Sequence, residues 1–143
     1  MTCFPMGMSG EQAGFWMSLA PTKSTVYVVD DDQDVLGSLR FLLETDGFRV
    51  RTFGSGAALL SALASSPADC FVIDYKMPNM DGIDLAKRLR NQDIAAPIIL
   101  ITGHPDGSIP ARAASAGVQR VLLKPHLEDS LATHIRGAIE AGR

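Results

Sequence analysis

Short apolar runs alternate with longer amphipathic segments from residue 24 onward, and this alternation constrains the fold more than any other feature. The longer segments carry apolar residues at helical spacing, as in Leu36, Leu39 and Leu43. The predicted strands are Val26–Val29, Phe48–Phe53, Cys70–Ile73, Ile98–Ile101 and Val121–Leu123. Parallel strands need crossover connections, and each predicted helix can supply one. Fully apolar runs are typical of strands that are buried on both faces of such a sheet. The sequence therefore predicts an α/β fold, a doubly wound five-stranded parallel sheet with helices on both faces.

Residues that favour helix ends flank the predicted helices. Asp32, Ser55 and Asp81 are predicted N-caps, because their side-chain oxygens can accept hydrogen bonds from the N–H groups of a first turn. Gly47 is predicted to end the first helix. Pro110 is compatible with a helix only in its first turn, so the Ala-rich fourth helix is predicted to be short and weak.

Length and composition indicate one folded domain. The chain has 143 residues, of which 46% are hydrophobic, and this is enough for one core without cross-links. Residues 1–23 are rich in Met, Gly, Ser and Pro and have no periodicity, so they are predicted to be a flexible N-terminal tail before a domain at 24–143. Cys70 lies in an apolar run and is predicted to be a buried, reduced thiol.

Charge and hydropathy exclude several classes of protein. The formal net charge is −3 and the basic residues are scattered, which argues against direct binding to nucleic acid. No apolar run reaches the roughly 18 residues of a membrane helix, and the first 22 residues lack the pattern of a signal peptide. The expected location is the cytoplasm, without membrane contact.

Polar residues follow four of the predicted strands at the point where each strand ends. They are Asp30 and Asp31, Asp74, Thr102 and Lys124. The carboxyl ends of parallel strands share one edge of the sheet, and ligands bind where the strand order reverses. In a flavodoxin-like order, 2-1-3-4-5, the first and third strands are neighbours at that reversal. We therefore expect three carboxylates, a hydroxyl and an ammonium group to converge there.

Such a cluster of carboxylates favours metal-assisted chemistry. Two like charges about 4 Å apart repel by roughly 4 kcal/mol at an effective dielectric constant near 20. A divalent cation offsets this repulsion, and hard oxygen ligands with few protein groups suit Mg²⁺, which also accepts phosphate oxygens. Asp74 could then act as a nucleophile toward phosphorus. Mg²⁺ and Lys124 would stabilise charge on the transferred oxygens, and Thr102 could donate a hydrogen bond to the phosphoryl group.

Four segments carry a resemblance to a known family. They are Val28–Asp32, Ile73–Gly82, Ile101–His104 and Lys124–Pro125. In their order and positions they resemble the receiver domain of response regulators in two-component systems, with a single-domain, chemotaxis-regulator-like fold. The Asp-x-x-Met-Pro-x-Met-Asp-Gly pattern is highly specific, whereas Lys-Pro or Thr-Gly alone would be weak. The resemblance covers about residues 24–141.

The resemblance implies a set of Mg²⁺ ligands. Asp31 would bind the ion directly and Asp30 would assist through a water molecule. Asp74 and the backbone carbonyl of Lys76 would complete the protein ligands.

The resemblance also implies a signalling function without a separate substrate. Asp74 would take a phosphoryl group from a sensor histidine kinase or a histidine phosphotransfer protein, and the domain would catalyse its own phosphorylation and dephosphorylation. Phosphorylation adds about −1.5 to −2 charge, which should draw Thr102 and Lys124 inward. The signal would leave through the face formed by helix 4, strand 5 and helix 5, where a homodimer could also form.

The chain departs from the family pattern on that same face. Receivers usually carry an aromatic switch residue three positions before the lysine, and here that residue is Val121. His126 stands where Phe often follows Lys-Pro, and Pro110 shortens helix 4. Lys76 is a charged residue beside the phosphoacceptor, where it could slow or redirect dephosphorylation.

Two alternatives remain open from the sequence. One is a receiver-like module that binds proteins without switching, which Val121 and His126 favour and the intact acid cluster opposes. The other is a haloacid-dehalogenase-type phosphatase with Asp30 as its nucleophile. Against it, position 34 is Asp where Thr or Val is expected, and no acidic pair follows Lys124 on another strand.

Overall fold

The computed structural model describes residues 23–103, 106–124 and 127–142. Five strands alternate with five helices along this part of the chain. The strands are β1 (Thr25–Val29), β2 (Arg49–Phe53), β3 (Cys70–Asp74), β4 (Ile98–Thr102) and β5 (Arg120–Leu123). The helices are α1 (Gln33–Thr45), α2 (Gly56–Ala62), α3 (Gly82–Asn91), α4 (Ile109–Ser115) and α5 (Leu127–Ala141). The predicted alternation of strands and helices is confirmed, with strand ends that differ by one residue at most places.

The strands form one parallel sheet in the order β2-β1-β3-β4-β5. The predicted fold class and strand order are therefore confirmed. Val29 at the end of β1 lies opposite Ile73 of β3, and Asp74 lies opposite Ile101 of β4. This register aligns the carboxyl ends of the central strands, so that the residues following them emerge at one edge.

Side chains of the sheet alternate between two hydrophobic cores. Tyr27, Phe71 and Ile73 pack on the side of α2, α3 and α4, and Val26 and Val28 pack on the side of α1 and α5. Because successive side chains of a strand point to opposite faces, a strand covered on both faces must be apolar at every position. This is why the central strands read as unbroken apolar runs.

The predicted helix ends are also confirmed. Asp32 accepts hydrogen bonds from the N–H groups of the first turn of α1, and Ser55 does the same for α2. Asp81 forms a reciprocal capping box with Asp84 at the start of α3. Pro110 lies in the first turn of α4, which is only seven residues long.

The remaining predictions concern the cysteine in β3, the N-terminal tail and membrane-spanning helices. Cys70 is fully buried and has a free thiol. The predicted tail lies outside the described residues apart from Lys23, and so do Pro125 and His126. Among the described residues, no helix has the length and hydropathy needed to cross a lipid bilayer.

Candidate functional site

The backbone at the carboxyl edge of the sheet holds the predicted site residues in place. The N–H of Asp30 donates to the carbonyl of Phe53 at 3.1 Å, so the first acid after β1 is tied to the end of β2. The N–H of Lys124 donates to the carbonyl of Thr102 at 3.0 Å. These bonds continue the strand pairing by one residue beyond β1 and β5. The functional side chains therefore start from a rigid edge rather than from free loops.

Three aspartates lie together at this edge. One carboxylate oxygen from each of Asp30, Asp31 and Asp74 can be chosen so that all three lie within 4.8 Å of one another. Asp30 is 3% exposed and Asp74 is 7% exposed, whereas Asp31 is exposed to solvent. The predicted convergence of the acids is thus present. The N–H of Asp32 donates to Oδ1 of Asp30 at 2.9 Å and fixes the orientation of that carboxylate.

Lys124 joins the two buried acids. Its Nζ lies 3.2 Å from Oδ1 of Asp74 and 3.5 Å from Oδ2 of Asp30. The lysine side chain is 32% exposed, so it reaches the acids from the rim of the site. A single ammonium group therefore lies between two carboxylates, so the three groups together carry an excess negative charge when both acids are ionised.

The burial of these acids changes their protonation. Burial raises the pKa of Asp74 above its ordinary value, the neighbouring charge of Asp30 adds to that rise, and Lys124 opposes it. Burial likewise raises the pKa of Asp30, against the hydrogen bond from Asp32 and the charge of Lys124. Burial alone would lower the pKa of Lys124, but the charges of Asp74 and Asp30 outweigh it and raise that pKa. A second positive charge would therefore relieve a site that is electrostatically strained.

The donor atoms of the site fit Mg²⁺. Three carboxylates present hard oxygen ligands around one point, and the exposed Asp31 opens that point to solvent and to a phosphate group. Within the described residues the only cysteine, Cys70 at the start of β3, is buried in the core and offers no soft ligand to the site. Asp30, Asp31 and Asp74 are the residues that could hold the ion.

Thr102 and Lys76 occupy different parts of the site. Thr102 is the last residue of β4, is 3% exposed and belongs to the same strand edge as Asp74. Lys76 lies two residues beyond Asp74 in the loop that leads to α3, and its side chain is exposed. Thr102, the predicted hydroxyl donor, therefore lies in the buried part of the site, and Lys76 lies on the solvent-exposed side of the site.

The loop between β3 and α3 closes tightly around the end of β3. The N–H of Gly82 donates to the carbonyl of Tyr75 at 2.8 Å. A Cβ atom at Gly82 would lie 2.6 Å from the carbonyl oxygen of Asp74, which explains why a glycine stands here. Asn79 has a φ of 71° and makes the left-handed turn that the loop needs.

One contact beside the site has no signal in the sequence. Nη1 of Arg112 in α4 donates to the phenol oxygen of Tyr75 at 3.3 Å. The two residues lie far apart along the chain, and Tyr75 fills an unspecified position of the Asp-x-x-Met-Pro pattern, so only the fold reveals their proximity. Val121, the predicted departure from the family pattern, is half-buried beside the core that α3 and α4 share.

Comparisons with known proteins agree with this geometry. The family described as the response regulator receiver domain matches residues 26–136. The transcriptional regulatory protein FixJ of Bradyrhizobium diazoefficiens is 41% identical over 118 residues, which make up 82% of this chain and 58% of that protein. The response regulator protein TmoT of Ectopseudomonas mendocina is 36% identical over 118 residues, 82% of this chain and 54% of that protein.

A solved structure of a relative has the same fold. The crystal structure of full-length FixJ from B. japonicum superposes with a TM-score of 0.78 at 40% identity, covering 86% of this chain and 61% of that one. The chain thus spans somewhat more than half the length of these relatives.

Proposed function

Because this chain belongs to the family of response regulator receiver domains of two-component systems, we propose that it is a signalling switch phosphorylated on Asp74 in a Mg²⁺-dependent reaction. The observation that carries the proposal is the position of Lys124, whose Nζ lies 3.2 Å from the carboxylate of Asp74. A cation in this position can pair with an oxygen of a phosphoryl group attached to that carboxylate. We further propose that the receiver domain extends over residues 24–143.

The proposed reaction is a transfer of a phosphoryl group between two nucleophiles. A carboxylate oxygen of Asp74 attacks the phosphorus of a phosphohistidine on a sensor kinase or a phosphotransfer protein, the P–N bond breaks and the imidazole leaves. The product is an aspartyl phosphate. Lys124 pairs with the transferred oxygens, and the hydroxyl of Thr102 donates a hydrogen bond to the group once it is in place. The domain thus catalyses its own modification and needs no separate substrate.

The metal site of this proposal uses the acids at the end of β1. Asp31 and Asp74 would hold the ion directly, Asp30 would act through a water molecule, and the backbone carbonyl of Lys76 would complete the protein ligands. Mg²⁺ bound there would neutralise negative charge on the acids and on the phosphoryl oxygens. The burial of Asp30 and Asp74, which raises their pKa values, supports this role, because a bound cation would stabilise the charged form of both acids.

Partners and location follow from the same proposal. The phosphoryl donor is a sensor histidine kinase or a histidine phosphotransfer protein in the cytoplasm. The signal leaves through the face of α4, β5 and α5, either to another protein or in a homodimer, and this domain does not itself contact nucleic acid or membrane. Two sequence relatives are named as regulators, one of them transcriptional, and both are longer than this chain.

A second candidate is a receiver-like module that binds a partner without switching. Val121 favours it, because an aliphatic side chain cannot exchange between buried and exposed ring positions. Membership in the receiver family argues against the haloacid-dehalogenase-type alternative, in which Asp30 would be the nucleophile.

The test of the proposed function is the intact mass of the protein after incubation with acetyl phosphate and Mg²⁺. We expect one added phosphoryl group, which is absent in Asp74→Asn and in the presence of a chelator. Asp93→Asn is the matched control, since it makes the same chemical change at a surface position whose φ of 60° asparagine tolerates.

Three outcomes separate the candidates. An adduct that Asp74→Asn lacks and Asp93→Asn retains supports phosphorylation at Asp74. An adduct that persists in Asp74→Asn would place the nucleophile elsewhere and overturn the proposal. No adduct, together with amide spectra that do not change on addition of beryllofluoride and Mg²⁺, would favour the non-switching module.

A further inference from the structure

Helix α4 is short and lightly anchored. It has seven residues, and the side chain of its N-cap residue Ser108 makes no capping hydrogen bond. Its buried residues are Ile109 and Ala113, whereas α3 buries five side chains or glycines along ten residues. A segment with few buried apolar contacts shifts or opens at a low cost in free energy. Helix α4 is therefore suited to take two positions.

Tyr75, the residue after Asp74, has a fixed backbone. Its N–H donates to the carbonyl of Ile101 in β4 at 2.7 Å, and its carbonyl accepts from the N–H of Gly82 in α3 at 2.8 Å. A Cβ atom at Gly82 would lie 3.0 Å from the Cα of Tyr75, so the packing here has no free space. Tyr75 is thus a rigid point beside the phosphoacceptor.

The side chain of Tyr75 reaches α4. Nη1 of Arg112 lies 3.3 Å from the phenol oxygen, and the guanidinium carbon lies 5.8 Å from the centre of the ring. The pair combines a hydrogen bond with a cation–π contact, which acts within about 6 Å of a ring centre. This contact connects a rigid residue beside Asp74 with the lightly anchored α4.

The residue three positions before Lys124 is Val121, where receivers usually carry an aromatic switch residue. Val121 is half-buried against a core that includes Ile109 and Ala113 of α4, and it has no ring to exchange between two positions. Coupling between the site and α4 therefore needs another element with two states. The contact between Tyr75 and Arg112 is a candidate for this element, because it joins the residue after Asp74 to α4.

We propose that the Tyr75–Arg112 contact is a latch that holds α4 in its unphosphorylated position and opens when Asp74 carries a phosphoryl group. This inference rests on the proposed function, since it assumes phosphorylation of Asp74. Thr102 ends β4, and six residues separate it from the start of α4. When its hydroxyl turns toward the phosphoryl group, the backbone at Thr102 moves with it, while Tyr75 stays held by its hydrogen bonds to Ile101 and Gly82. The contact of Thr102 with the phosphoryl group and the contact between Tyr75 and Arg112 then favour different positions of α4.

Coupling of this kind is reciprocal. If loading of Asp74 opens the latch, then removal of the latch must tighten the binding of a phosphoryl mimic by the same factor. Loss of one surface hydrogen bond corresponds to an affinity change of about two- to fivefold. The size of the effect is therefore small but measurable.

The test uses beryllofluoride at saturating Mg²⁺, titrated while the amide spectra of the full chain are recorded. Tyr75→Phe removes only the phenol oxygen, and Arg112→Gln removes the cation from the other end of the pair. We expect each variant to bind beryllofluoride about two- to fivefold more tightly than the wild type, and the double variant to bind no more tightly than either. Without beryllofluoride, the α4 signals of Tyr75→Phe should move toward their positions in the loaded wild type. Arg88→Gln, which removes an exposed arginine from α3, is the matched control and should change neither property.

The outcomes separate this inference from the proposed function. If the wild type fails to bind beryllofluoride, the proposed function fails and the latch fails with it. If the wild type binds but both single variants bind with unchanged affinity, only the latch is overturned. Additive effects of the two substitutions would also overturn it, because they would show that Tyr75 and Arg112 act separately.

Discussion

Nζ of Lys124 lies 3.2 Å from Oδ1 of Asp74, so the acid that we propose as phosphoacceptor is ion-paired before any phosphoryl group arrives. The same ammonium group lies 3.5 Å from Asp30. The lysine thus stabilises the two buried acids as well as any group later attached to one of them. This double role predicts effects on stability that can be measured without a phosphoryl donor.

Replacement of Lys124 by Gln should destabilise the metal-free protein at pH 7. The change leaves Asp30 and Asp74 buried without their cation, which is costly, although the lysine's partial exposure reduces the cost to about 1–2 kcal/mol. The effect should shrink as the pH falls through the pKa values of the two carboxyl groups, because neutral acids no longer need the cation. Urea denaturation between pH 4 and pH 7 measures both the loss and its pH dependence.

Lys87→Gln is the control for that experiment, because Lys87 is exposed on α3 and makes no ion pair within the part of the chain that the structure describes. It should change the free energy of unfolding by less than about 0.5 kcal/mol. Equal losses for the two lysines would contradict a specific role for Lys124.

Replacement of Asp30 by Asn should stabilise the metal-free protein near neutral pH. Burial raises the pKa of Asp30 above its ordinary value, so its folded environment disfavours the charged form. A raised carboxyl pKa lowers the stability of the wild type above that pKa, and the loss disappears below the ordinary value of about 3.9. The gain from Asn should therefore be present at pH 7 and vanish near pH 3. Denaturation with a chelator present measures it.

The effect of Mg²⁺ on Asp30→Asn provides the matching check. Mg²⁺ should stabilise the wild type more than the variant, because a ligand that binds only the folded state stabilises it in proportion to its affinity. If Asp30→Asn raised the free energy of unfolding equally at pH 3 and pH 7, this would contradict the electrostatic explanation.

The sequence predicted the strand ends and the acid cluster for a simple physical reason. The carboxyl ends of parallel strands share one edge, so Asp30, Asp74 and Lys124 were expected together once the strands were recognised. Caps such as Asp32 and Asp81 were predictable because their contacts are local and lie within a few residues.

The contacts that could not be predicted join residues far apart in the chain through side chains without a motif. Arg112 reads as an ordinary exposed arginine, and its approach to Tyr75 depends on how α4 packs. Arg90 is a similar case at the end of α3. Its guanidinium donates to the carbonyls of Ala96 and Gly117, at 2.9 and 2.8 Å, and also to that of Ile94. A sequence does not show which loop carbonyls a side chain will reach, so nothing in it distinguished Arg90 from its neighbours.

Replacement of Arg90 by Met should therefore cost about 2–3 kcal/mol of stability, because it leaves several partly buried carbonyls without a donor. Arg88→Met on the same helix is the control, since Arg88 is exposed, and it should cost less than about 0.5 kcal/mol. Thermal unfolding of both variants measures the difference. Similar melting temperatures for the two would show that the carbonyls find other partners.

Replacement of Gly82 by Ala should destabilise the protein and disturb the end of β3. The new Cβ would lie 2.5 Å from Cδ1 of Leu100 and 2.6 Å from the carbonyl oxygen of Asp74, and the backbone atom cannot move aside cheaply. Overpacking of this kind costs about 1–3 kcal/mol. Gly37→Ala is the matched control, because Gly37 lies in α1, where an added methyl group would meet nothing within 4 Å. It should raise stability by about 0.5–1 kcal/mol, since alanine favours a helix over glycine. Urea denaturation compares the two, and amide spectra should show changes around Asp74 in Gly82→Ala alone; a stabilising effect of both substitutions would contradict the tight packing at the site.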